Sequence, residues 1–170
     1  MKQKILFAAL GAGMIAIAGC ASSGTSGGTT AASSNVVLGN NARWTSRLQS
    51  VTQSRADVGQ STRDKSYGEF TWSRGASQSI SSFNLVFNYS GQDRFLSWAI
   101  VAGSCGSPSL PILPMGSFPE LNVGTGGRAQ VNGTLSIELP TSGAYHVDIY
   151  RSRQQSMEAL VACGNLKLVS

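Results

Sequence analysis

The chain has 170 residues, 41% of them hydrophobic and only 12% charged, with a formal net charge of +5. That is enough apolar material for one ordinary domain and an appendage, not for several domains. The arginines are scattered from Arg43 to Arg153, with only Arg151 and Arg153 as close neighbours. No basic stripe exists to track a phosphate backbone, which excludes nucleic acid as a partner and leaves at most loose contact with anionic lipid or polysaccharide.

Lys2 and Lys4 give the chain a short positive start, and Ile5 to Ala18 follow without a charge. A membrane span needs about 20 apolar residues, so this shorter run reads as the core of a secretory signal. It ends in Ile17-Ala18-Gly19-Cys20, which resembles the lipobox of bacterial lipoproteins. The resemblance implies cleavage before Cys20 and a diacylglyceryl group on its thiol. It also implies a further acyl chain on the freed amine, since a single chain anchors only marginally. Ala21 stands where inner-membrane lipoproteins carry Asp, so the implied location is the outer membrane, facing the periplasm or the surface. An ordinary signal with an incidental cysteine is the alternative. Loss of Lys2 and Lys4 takes two from the 13 basic residues and leaves +3 against 8 acidic ones.

Residues 1–19 are thus expected to be a signal, and 20–37 the lipidated cysteine with a flexible linker of Ser, Gly, Thr and Ala. Residues 38–170 are expected to form one domain, whose elements read as short strands between Gly, Ser, Asn and Pro. Trp44, Ser46 and Leu48 alternate with Arg43, Thr45 and Arg47, although Trp44, Leu48 and Val51 also fit a helical period. Tyr67 to Arg74 alternates around Phe70 and Trp72; Ile80 to Tyr89 carries Phe83, Leu85 and Phe87 on one face. Ser90-Gly91-Gln92-Asp93 is a turn by composition, and Phe95 to Ala102 beyond it is apolar, so the two strands are expected to form an antiparallel hairpin. Gly103 to Gly127 is too rich in breakers to be a strand. Arg128 to Leu139 alternates again, Pro140 to Gly143 turns the chain, and Tyr145, Val147 and Ile149 alternate with His146, Asp148 and Tyr150. Met157 to Val169 supplies the last strand. The expected fold is an all-β Greek-key sandwich of about seven or eight antiparallel strands.

With Cys20 taken by lipid, Cys105 and Cys163 remain as an even pair in an oxidising compartment. A bridge between them is expected to contribute about 4 kcal/mol by loop-closure entropy; two free thiols are the alternative. Leu160-Val161-Ala162-Cys163-Gly164-Asn165-Leu166 resembles the closing strand of copper/zinc superoxide dismutases, whose Ala-Cys-Gly run carries half of an intrasubunit disulfide. Gly103-Ser104-Cys105 lies where that family keeps the other half, just after a metal-binding strand. Bacterial sandwich domains of the CHRD type share the outline, which covers about Arg43 to Leu168; an immunoglobulin-like sandwich is the alternative. The resemblance implies a disulfide pinning a long loop to the last strand. It does not carry the activity over. The family's His-x-His pair falls on Ala99 and Val101, its loop histidine has no counterpart between Ser104 and Gly127, and a further histidine is replaced by Tyr150. Methyl groups cannot ligate copper or zinc, so no metal, no cofactor and no enzyme of this class is expected.

His146, the single histidine, and Asp148 are weak candidates for a base and its orienter or for a residual metal site. The bland reading is a solvent-facing histidine on an exposed strand face. No Gly-x-Ser-x-Gly elbow accompanies them, and Gly124-Thr125-Gly126-Gly127 precedes a strand and reads as a hairpin turn. Trp44, Trp72 and Trp98 are expected in or beside the core, whereas Tyr89, Phe95, Phe118 and Tyr150 are the aromatics a glycan platform would use. The leading expectation is a non-catalytic envelope module, anchored to the membrane through Cys20, with an envelope protein or glycan as partner. A metal-handling or dismutase-related protein with a degenerate site, and a glycan binder, are the alternatives.

Overall fold

The computed structural model describes residues 41–51, 66–153 and 156–170. The segment read as a signal, the Cys20 lipidation site and the linker after it lie outside the described residues. Within them the chain forms β1 (Arg43–Ser50), β2 (Tyr67–Arg74), β3 (Ser81–Asn88), β4 (Phe95–Ala102), β5 (Leu121–Asn122), β6 (Arg128–Leu135), β7 (Tyr145–Tyr150), β8 (Leu160–Asn165) and β9 (Lys167–Val169). The fold is all-β and every strand pairing is antiparallel.

Neighbouring strands follow the order β1-β2-β3-β6 on one side and β1-β8-β7-β4-β5 on the other. A bridge between Val123 and Ala129 joins the end of β5 to β6 and nearly closes the sheet into a barrel. Strands β4, β5 and β6 are sequential neighbours, flanked by β3 beyond β6 and β7 beyond β4, which makes two Greek keys. The hairpin expected between Ile80–Tyr89 and Phe95–Ala102 does not form. The free edge of β3 is taken by β6 along its whole length, from Ser81↔Leu135 to Asn88↔Arg128. The turn at Ser90–Asp93 therefore carries the chain across to β4, which pairs with β5 and β7. The Tyr89 hydroxyl donates to Asp93 at this corner. The breaker-rich stretch also differs from expectation, because Leu121–Asn122 pairs with the start of β4. The expected last strand is divided: β8 pairs with Gln49 and Ser50 of β1, and β9 with Arg43 to Thr45. Leu166 separates them, and within β8 a side chain at Gly164 would collide with the Ser46 hydroxyl and the Arg47 carbonyl.

Alternation decides the core, since residues two apart on a strand share a face. Trp44, Trp72, Phe83 and Gly133 lie in register across β1, β2, β3 and β6, so three large rings are followed by the one residue with no side chain. From the other half Trp98 enters among Phe70, Phe83 and Phe118, with ring centroids 5.5, 4.8 and 5.0 Å away. Buried indoles usually find a hydrogen-bond acceptor, and two of the three here do, Trp72 Nε1 having none. Trp98 Nε1 donates to the Pro119 carbonyl and Trp44 Nε1 to the Pro140 carbonyl, each at 2.8 Å. Both prolines lie in loops, so the core itself holds down the chain between β4 and β5 and the chain between β6 and β7. The three tryptophans are buried, as their strand positions implied.

Cys105 and Cys163 form a disulfide across 58 residues, with Cα atoms 5.9 Å apart. It fastens the turn after β4 to β8. Truncation of the central ring is expected to be costly: Trp98→Ala lowers the unfolding free energy by about 3–5 kcal/mol. The measurement is a shift of the urea midpoint at unchanged slope.

Candidate functional site

Strand β7 is buried on both faces. Val147 and Ile149 meet the barrel interior opposite Ile100 and Trp98. His146, Asp148 and Tyr150 point the other way, opposite Val101, Ala99 and Ser97 of β4; across β8, His146 faces Asn165 and Asp148 faces Cys163. A wet outer face was expected here, yet His146 is 1% exposed, Asp148 7% and Tyr150 6%. The turn after β4 causes the difference. Gly103, at φ +91, sends the chain back over the sheet, where its N–H donates to the Ala144 carbonyl and Cys105 bonds to Cys163. The Cys105 N–H also donates to Asn165 Oδ1 at 2.8 Å.

The covered face is polar and its accounting is incomplete. His146 Nδ1 lies 3.0 Å from the Gly103 carbonyl, which can only accept, so Nδ1 carries the proton. Nε2 is then left with a lone pair in the neutral ring. It lies 3.4 Å from Asp148 Oδ2, which already accepts the Tyr150 hydroxyl at 2.8 Å. Neither His146 Nε2 nor Asp148 Oδ1 has a well-formed hydrogen bond, and both are shut off from solvent. A neutral imidazole thus presents a lone pair to a carboxylate, which is repulsive; a proton or a cation on Nε2 would relieve it.

That arrangement governs the titration. Burial pushes the His146 imidazolium down, but the Asp148 contact, the Gly103 carbonyl and the Asp148 charge together outweigh it, and the pKa stands above the usual 6.5. Burial raises the Tyr150 phenol, and the Asp148 hydrogen bond and charge raise it further.

A ring nitrogen of His146, a carboxylate oxygen of Asp148 and the sulfur of Cys163 all lie within 4.8 Å of one another. The structure therefore brings together the two weak candidates and one of the paired cysteines. Ala99 and Val101 stand beside them on β4 with only methyl groups, opposite Asp148 and His146. While Cys163 is bonded to Cys105 its sulfur is not a thiolate, the form that ligates metal. Two donors then remain.

The aromatic platform weighed for a glycan is not assembled. Tyr89, Phe118 and Tyr150 are buried, and of that set only Phe95 is exposed. A cleft of about 760 Å³ opens over β1, β2 and β8, lined by the Cys105–Cys163 disulfide together with Arg47, Gln49, Glu69 and Lys167. Sequence reasoning did not identify Cys163 as a neighbour of His146. Alternation places each on a strand face, but only the β7–β8 register sets Asp148 opposite Cys163.

A folded-state pKa raised above the unfolded value gives stability that is complete below the unfolded pKa and is lost as pH rises through the folded one. The unfolding free energy is therefore expected to fall as pH climbs from 6.5 through the raised His146 value. His146→Gln is expected to remove that slope in urea titrations across roughly pH 5.5 to 9.

No protein-family model, curated protein or solved structure matches this chain.

Proposed function

We propose that this chain is a lipid-anchored protein of the bacterial outer membrane whose disulfide-clamped barrel is a non-catalytic structural or interaction module. The observation that carries the non-catalytic part is the outward face of β4 and β7. Dismutase-type domains, which the Cys105 and Cys163 segments resemble, keep metal histidines at positions matching Ala99, Val101 and Tyr150. Those three residues supply two methyl-bearing side chains and a phenol, and a phenol with a raised pKa stays protonated. A dismutase must also let superoxide reach its metal, whereas Ala99, Val101 and Tyr150 are all buried. The anchoring part rests on Ile17-Ala18-Gly19-Cys20 and the Ser/Gly/Thr-rich stretch after it. A Ser/Gly/Thr-rich stretch between a lipidated cysteine and a clamped barrel suits a module held at a membrane and presented to a partner in the envelope. Arg47, Glu69 and Lys167 in the cleft over β1, β2 and β8 offer charged groups to such a partner.

The test uses the full chain, expressed in a bacterium with an outer membrane and kept oxidised. The chain is expected to sediment with outer membranes, and Cys20→Ser to leave it soluble in the periplasm. The purified oxidised protein is expected to hold less than about one-tenth of a copper or zinc ion per chain after loading, with no superoxide turnover. Stoichiometric metal with turnover would overturn the non-catalytic reading; equal sedimentation of Cys20→Ser would overturn the anchor.

A further inference from the structure

We propose that reduction of the Cys105–Cys163 disulfide creates a binding site for one zinc-class divalent ion, held by Cys163 Sγ, His146 Nε2 and the Asp148 carboxylate. The inference goes beyond the non-catalytic reading of the oxidised barrel, because it concerns a second redox state of the same face.

The donors are already gathered. A ring nitrogen of His146, an oxygen of Asp148 and the sulfur of Cys163 lie within 4.8 Å of one another, and Nε2 to Oδ2 is 3.4 Å. Zinc–ligand bonds of 2.0–2.3 Å in a tetrahedron set neighbouring donors about 3.3–3.8 Å apart, so the His–Asp pair needs no adjustment. The ring is also oriented for the task. Its Nδ1–H is held by the Gly103 carbonyl, which leaves the lone pair on Nε2, the nitrogen 3.4 Å from the Asp148 carboxylate. Metal-binding histidines are held in this way, with the far nitrogen bonded to a carbonyl or carboxylate. Tyr150 plays the equivalent part for Asp148 by donating to Oδ2. Of the five buried side-chain atoms without partners among the described residues, two, His146 Nε2 and Asp148 Oδ1, are ligand atoms of this site. A cation between them satisfies both.

The missing donor is a thiolate, and a two-electron reduction supplies it. Cys105 is half-buried, whereas Cys163 is buried, so a dithiol reductant meets Cys105 first. Its thiolate attacks Cys105 Sγ, the S–S bond breaks, and Cys163 leaves as a thiolate beside His146. The second thiol of the reductant then attacks the mixed disulfide and releases Cys105. The dithiol ends as a cyclic disulfide, having given two electrons; its two protons go to the cysteine sulfurs and are released to water when a metal replaces them. Cys105 does not drift away, since its N–H is bonded to Asn165 Oδ1 and the Gly103 N–H to the Ala144 carbonyl. Its sulfur, or a water, takes the fourth position. One imidazole and one or two thiolates select a borderline or soft ion and reject magnesium and calcium.

The experiment takes the full chain, reduced with a dithiol and desalted under argon, and titrates it with cobalt(II) and then zinc. One cobalt per reduced chain is expected, with a thiolate-to-cobalt charge-transfer band that one equivalent of zinc abolishes. The oxidised chain should show no band. His146→Gln and Asp148→Asn, both nearly isosteric, should each weaken zinc binding by about tenfold or more. Absence of the band in the reduced chain, an equal response in the oxidised chain, or a band indifferent to His146→Gln would each sink the proposal. So would a reduced chain that loses its near-UV circular dichroism and does not regain it with zinc. None of these failures touches sedimentation of the lipidated chain or the lack of turnover in the oxidised one.

Discussion

The bond between Cys105 and Cys163 does more than close a loop. It holds the turn after β4 against the outside of β7 and β8, with help from Gly103 and Asn165. A β-sheet in a small barrel ordinarily has one dry face and one wet face. Here a second face is taken out of water at one place, and the residues there are polar. Their donors and acceptors must find one another, because an unpaired buried polar group costs roughly 1–3 kcal/mol. The row Tyr150, Asp148, His146, Gly103 is the response, and it stops short at Nε2 and Oδ1. Two of the five buried side-chain atoms without partners among the described residues lie at this one place.

The barrel interior solves a different problem, that of fitting three indoles and several phenyl rings into a narrow space. Large residues on one strand are met by small ones on the next: Phe83 by Gly133, Phe87 by Gly68 and Ala129, Ile149 by Ala162, and Val147 by Gly164. The rings themselves carry polar edges, and two of those edges are turned to use. By donating to Pro119 and Pro140, Trp98 and Trp44 fix loops that have no strand pairing of their own at those points. Core and crossovers are thereby a single unit, and a change in one is felt in the other.

Much of this was legible from residue order, and the rest was not for definite reasons. Period-two patterns mark β1, β2, β3 and β6 because each has one buried face, but they leave a helical reading of Trp44, Leu48 and Val51 open, and strand β1 overturns it. The pairing of strands is a different matter. A turn sequence such as Ser90–Asp93 says that the chain bends, not whether the next strand returns to the same edge, and here β6 occupies that edge. The two-residue β5 has too few positions to show a period. The burial of His146 was invisible because alternation describes one strand at a time, while the cover arrives from the turn after β4. The cysteine pair was visible as a pair; its position opposite Asp148 was not.

The sheet closes through its smallest strand. β5 meets β4 at only Phe95↔Asn122 and Leu96↔Leu121, and reaches β6 through the single bridge from Val123 to Ala129. The long pairs of the barrel, β1 with β2 and β2 with β3, run for nearly the whole length of their strands. Such a structure has a seam, and slow amide exchange would be distributed unevenly around it, with protection strongest across β1, β2 and β3 and weakest at the seam. Parting there would break few backbone hydrogen bonds, yet it would bare the edges of β4 and β6 together, and bare edges are where one sheet recruits the strand of another chain. The disulfide lies on the other edge of β4, toward β7 and β8. It guards the covered face and leaves the seam to those few backbone pairs, the packing of Phe118 and Leu121, and the Arg153–Glu120 ion pair beside β5.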